Sequence, residues 1–98
     1  MKFEDIQFEG LAEIYGYGAV QAKIDLANGY KLSVIKHRMS YGGEKGLYEI
    51  GVAHKDSKFG AIPEGWGDSV KGWLTEKGVE VEIGILSRSK IEYEKVRG

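Results

Sequence analysis

The chain contains no cysteine, which excludes a disulfide framework, a thiolate metal site and a cysteine nucleophile. An excess of charge is also missing. Lys and Arg number 14 against 15 Asp and Glu, a formal net charge of −1. That balance gives no electrostatic drive toward nucleic acid and argues against a DNA mimic, which needs a strongly acidic surface. No apolar run approaches the roughly 20 residues that span a bilayer. The start, Met-Lys-Phe-Glu-Asp, lacks the apolar stretch of a signal peptide, so the cytoplasm is the expected compartment and no membrane partner is expected. Proline occurs once, at Pro63, and glycine has no three-residue period, which excludes a collagen-like chain.

What the chain does have is glycine, 15 residues in 98, against an average usage near 7 %. These glycines lie between apolar runs, and 42 % of the chain is hydrophobic, so it is not a flexible linker. The length fits one domain, residues 1–98. Without covalent staples, a domain of this size depends on a continuous apolar core or on oligomerisation.

The clearest local pattern begins at Val20. Val20, Ala22, Ile24 and Leu26 alternate with Gln21, Lys23 and Asp25, the period of a strand with one buried face. A second β-rich run, Tyr30 to Met39, follows Ala27-Asn28-Gly29, a strong hairpin signal. A two-residue loop would set Leu26 opposite Lys31 and mix apolar with polar residues. A three-residue loop instead pairs Leu26 with Tyr30, Ile24 with Leu32 and Ala22 with Val34, giving one apolar face. That loop needs a left-handed residue last, where Gly29 sits. Ser40 to Gly46 reads as an exposed turn, and Leu47 to His54 as a third strand with Tyr48, Ile50, Val52 and His54 on one face.

Outside this meander the pattern weakens. Residues 1–17 read as a short extended lead-in with one helical turn at Leu11 to Tyr15. Asp68 reads as the cap of a short turn through Val70 to Leu74 that sends Trp73 and Leu74 into the core. From Thr75 two periods compete. Val79, Ile83 and Leu86 form a helical stripe, while Val79, Val81, Ile83 and Ile85 alternate as in a strand, and Gly78 and Gly84 weaken the helix. Residues 90–98 read as a charged tail that frays.

No catalytic constellation is recognisable. His37 and His54 fall at corresponding ends of neighbouring predicted strands, and with Glu49 or Asp56 they suggest a metal site, but their spacing matches no compact ligand motif. The glycine-rich segment Ser40 to Gly46 lacks the spacing of a phosphate-binding loop and leads into a strand. No cofactor and no enzymatic activity are expected. Aromatic residues remain the main clue. Tyr and Trp are favoured at interface hot spots. Tyr48 and Trp73 are read as core, whereas Tyr41 and Trp66, in glycine-flanked loops, are candidate partner contacts with Gly42, Gly43, Lys36, His37 and Arg38.

The strings Asn28-Gly29-Tyr30, Ser33-Val34-Ile35, Ser40-Tyr41-Gly42-Gly43 and Gly46-Leu47-Tyr48-Glu49-Ile50, then Asp68 through Glu76, resemble a family of small proteins encoded by bacteriophages and prophages. The resemblance implies origin rather than an activity. It also implies a helix after Leu74-Thr75-Glu76, although Gly78 stands where an acidic residue would complete a capping box.

The expected fold is α+β: an antiparallel meander of three strands, or four, with one C-terminal helix starting near Thr75 packed on a face. Its core would hold Val20, Ile24, Leu32, Val34, Ile50, Val52, Leu74, Val79, Ile83 and Leu86. The expected function is a non-catalytic phage or prophage accessory role, binding a host or phage protein such as a host enzyme or defence component. The alternatives are weak nucleic-acid binding through Lys36, Arg38 and Tyr41, a disfavoured partner class given the charge balance, and a small metal-dependent enzyme using His37 and His54. The outer strands leave backbone unpaired, which admits a homodimer through a sheet edge.

Overall fold

The computed structural model describes residues 1–55, 60–63 and 65–88. The predicted charged tail at 90–98 lies outside them. Strand β2 (Val20–Asp25) pairs with β3 (Tyr30–Lys36) in the register that the apolar pattern demands, Ile24 opposite Leu32 and Ala22 opposite Val34. The three-residue loop closes with the Leu26 N–H donating to the Tyr30 carbonyl at 2.8 Å. Gly29 has φ +96°, and a Cβ there would also meet the His54 ring at 2.6 Å, so the turn and the packing both require glycine. The hairpin tip has a second task. Asn28 Nδ2 donates to the Leu86 carbonyl at 2.8 Å, satisfying one of the acceptors left open at a helix C-terminus.

Strand β4 (Tyr48–His54) pairs antiparallel with β3, and its alternation buries Tyr48, Ile50, Val52 and His54. The sheet then extends beyond the expected three or four strands to five, in the order β1-β2-β3-β4-β5. β1 is only Glu9–Gly10, paired with Gln21 and Val20. β5 (Val70–Leu74) replaces the turn expected after Asp68. Asp68 Oδ1 does accept from the Ser69 N–H at 2.6 Å, yet the chain runs on extended. A local cap signal loses here to the open edge of β4, which supplies ladder partners for Val70 and Lys71.

Helix α2 (Glu76–Arg88) resolves the ambiguous C-terminal pattern. Thr75 caps it, its Oγ1 accepting from the Gly78 N–H at 3.0 Å and its carbonyl from Val79 N–H at 2.9 Å. Val79, Ile83 and Leu86 pack with Ala22, Ile24, Tyr30, Leu32, Val34, Ile50 and Val52 in one core. Val20 and Leu74, expected inside, are partly buried at its margin. Full burial of a side chain such as Ile50 contributes roughly 2–3 kcal/mol. This exceeds the roughly 1 kcal/mol that each of Gly78 and Gly84 costs a helix, so packing decides the element.

The lead-in closes one end of this core. Phe3, in a 3-10 turn (Phe3–Asp5), and Phe8 meet Tyr48, with ring centroids 5.2 and 5.7 Å from it. The Phe3 N–H donates to Glu80 Oε1 at 2.6 Å, tying the lead-in to α2. One turn of helix, α1 (Ala12–Tyr15), precedes β2. The opposite sheet face carries Lys23, Asp25, Lys31, Ser33, Gly51 and Ala53 around a shallow depression of about 500 Å³. Among the described residues no helix is long and apolar enough to cross a membrane.

Candidate functional site

Antiparallel pairing gathers three segments at one end of the sheet. Val20 at the start of β2 lies opposite Lys36 at the end of β3, and Tyr48 at the start of β4 lies opposite Leu74 at the end of β5. The turn after α1, the loop from His37 to Leu47 and the last residues of β5 therefore share that end.

The loop after β3 is held by its own backbone and by Ser40. The Ser40 hydroxyl accepts from the His37 N–H at 3.0 Å and donates to the His37 carbonyl at 2.8 Å. His37 Nδ1 accepts from the Met39 N–H at 3.0 Å, and the imidazole stacks on Tyr15 with centroids 3.8 Å apart and planes 3° from parallel. This fixes His37 and leaves Arg38 and Met39 exposed at the tip. Gly43 is needed because a Cβ there would run into the His37 carbonyl oxygen.

Tyr41 follows, with its N–H donating to Glu49 Oε1 at 3.0 Å and its carbonyl accepting from the Trp73 N–H at 3.2 Å. The facing strand is irregular. Between the pairs Ile50–Lys71 and Tyr48–Leu74, β5 has one residue more than β4, a β-bulge. Trp73 occupies it with φ +61°, the sole positive φ outside glycine among the described residues. For a bulky L-residue this left-handed conformation costs roughly 1–2 kcal/mol. Gly72 lets the loop approach, since a Cβ there would run into the Tyr41 Cβ. The result is a pair of neighbouring segments whose aromatic side chains stay outside, Tyr41 62 % and Trp73 59 % exposed.

Two clefts adjoin this surface. One of about 460 Å³ is lined by Tyr15, Tyr17, Lys36, His37, Arg38 and Glu44 among others. A smaller one of about 180 Å³ runs between Arg38, Lys45, Tyr41 and Trp73. Arg38 and Glu44 border both, so the two form one continuous surface. Arg38 and Lys45 make no ion pair among the described residues.

Of the residues predicted to contact a partner, Lys36, His37, Arg38, Tyr41, Gly42 and Gly43 gather at this end. Trp66 does not. It is half-buried against the core, with Lys71 Nζ 5.5 Å from its ring centroid. The two tryptophans thus exchange their expected roles, because the bulge turns Trp73 away from the core that the sequence reading assigned to it. Lys36 is also less available than expected, its ammonium lying 5.0 Å over the Tyr48 ring. His37 and His54 sit at opposite ends of the sheet rather than corresponding ones, since antiparallel β4 places His54 opposite Tyr30. Among the described residues no three His, Asp or Glu side chains gather as a metal site would require. Regular alternation would have set Trp73 on the face of Lys71, which lies opposite the buried Ile50, so no local signal marks Trp73 as outward-facing and only the extra residue of the bulge turns it out. No protein-family model, curated protein or solved structure matches the chain.

Proposed function

We propose that this chain is a non-catalytic accessory protein that binds another protein through the aromatic and basic surface formed by Tyr41, Trp73, Arg38, Met39 and the Tyr15–His37 stack. The observation that carries the reading is Trp73, held in a strained conformation with its indole in solvent beside Tyr41. Strain of this kind persists only where the surrounding structure enforces it, and it concentrates at functional sites. Trp, Tyr, Arg and Met are the residue types enriched at protein interfaces. The resemblance to phage and prophage proteins makes a host enzyme or defence component in the host cytoplasm the partner of choice.

The test is affinity capture from host cells with the wild-type chain, Tyr41→Ala and Arg38→Ala, each shown to be folded by circular dichroism. One protein retained by the wild type and lost by both variants is the expected result. Equal capture by all three chains overturns the assignment of this surface, and salt-sensitive recovery of nucleic acid alone would replace the partner class.

A further inference from the structure

The two open edges of the sheet differ, one along β5 and the other along the part of β2 that β1 leaves uncovered. β5 carries the bulge and the left-handed Trp73, so its ladder is broken. β2 is regular, and β1 covers only Val20 and Gln21 of it. The direction of the uncovered groups follows from the hairpin. The Leu26 N–H donates to Tyr30, so Leu26, and by alternation Ile24 and Ala22, turn their backbone groups toward β3. Lys23 and Asp25 turn theirs the other way. Ala19, two registers earlier on the same side, confirms the phase, since its carbonyl accepts from the Leu11 N–H at 2.8 Å. The N–H and C=O of Lys23 and Asp25 have no partner among the described residues.

We propose that a second copy of this chain pairs antiparallel on this edge, about a two-fold axis through Ile24. Ile24 then faces its own copy without hydrogen bonds, and Lys23 faces Asp25 of the second copy as a hydrogen-bonded pair on either side of the axis. This register satisfies all the free groups of Lys23 and Asp25. Charge selects it over its neighbours. Centring the axis on Lys23 or on Asp25 would set like charges directly opposite, whereas centring on Ile24 sets opposite charges together. Asp25 already holds Lys31 at 3.4 Å on that face, so Lys31, Asp25 and Lys23 of the second copy form a row. On the other face Ala22 meets Leu26 of the second copy, which extends the apolar layer. The two sheets join as one, and the end surfaces described above point in opposite directions. The inference is independent of what those surfaces bind.

The contact is short, so association is weak and is read at protein concentrations up to about 1 mM. Sedimentation equilibrium is expected to give the wild type twice the chain mass of 10.9 kDa. Lys23→Asp and Asp25→Lys, both at exposed positions, each place like charges opposite one another and weaken self-association by about tenfold or more. An equimolar mixture of these two variants restores the dimer, as does the double variant K23D/D25K. A wild type that stays at 10.9 kDa, single variants that dimerise as well as it does, or a mixture that stays monomeric would each overturn the proposal.

Discussion

The Trp73 N–H donates to the Tyr41 carbonyl oxygen across 3.2 Å, joining the loop after β3 to the bulge of β5. Because that bulge holds Trp73 at φ +61°, two substitutions that both remove the indole should differ in stability. Trp73→Ala keeps a Cβ in the left-handed region, and Trp73→Gly does not. The glycine variant is expected to be the more stable by about 1 kcal/mol, the reverse of the usual order inside a strand. Urea denaturation of the pair measures it, and an alanine variant of equal or greater stability would mean that the backbone there is unstrained.

Close approach, rather than the glycine count, should decide which glycines matter. Gly43→Ala and Gly72→Ala force a Cβ into the His37 carbonyl and the Tyr41 side chain and should each cost about 1–3 kcal/mol. Gly84→Ala, within α2, meets only the Arg88 guanidinium at 3.5 Å and should stabilise by about 1 kcal/mol. Thermal melts resolve these signs, since 1 kcal/mol moves the midpoint of a domain this size by about 4–8 °C.

Glu82 is buried, 8 % exposed, with Oε1 accepting from Lys71 Nζ at 3.1 Å and Oε2 without a hydrogen bond among the described residues. Lys71→Met leaves both carboxylate oxygens unpaired and should cost about 1–2 kcal/mol, the lower range because Lys71 is partly exposed. The double variant K71M/E82L should recover most of that loss, since removing both partners removes the desolvated charge. A double variant as unstable as the two single losses added together would show that the pair does not act as a unit.

Glu80 supplies a pH dependence. Its acceptance of the Phe3 N–H, followed by the neighbouring Lys77, holds its carboxyl below the usual value of 4.5 despite some desolvation. A group with a lowered folded-state value contributes stability above its unfolded value and loses it as pH falls through the folded one. The contribution is therefore whole at neutral pH and declines below pH 4.5. Glu80→Gln should flatten the fall in urea midpoint over that acid range, and an unchanged slope would show that Glu80 is not a source of it.

The hairpin was legible because its information is local. Asn28-Gly29 and the alternation on either side admit a single register with one apolar face, and the structure has it. The helix starting near Thr75 was expected from the resemblance, whereas the side-chain period from Val79 onward fits a strand as well. Trp66 and Trp73 were not legible, because Trp66 sits in a turn that packs on distant core residues and Trp73 takes its direction from the pairing of β5 with β4. Nothing near Trp73 in sequence announces that β5 will carry one residue too many for its partner. The same holds for the two histidines, whose separation follows from strand direction rather than from their spacing.

By itself the sequence determined which faces of β2, β3 and β4 turn inward and where the first hairpin closes. Each of these rests on side-chain period or turn geometry within a few residues. Only the tertiary structure decided that residues 76–88 are helical, that Val70–Leu74 completes the sheet, and that Tyr15, Arg38, Tyr41 and Trp73 share one end of it. Those outcomes depend on contacts between distant segments. Burial beneath the sheet outweighs two helix glycines, and a mismatch between two strands sets the direction of one indole.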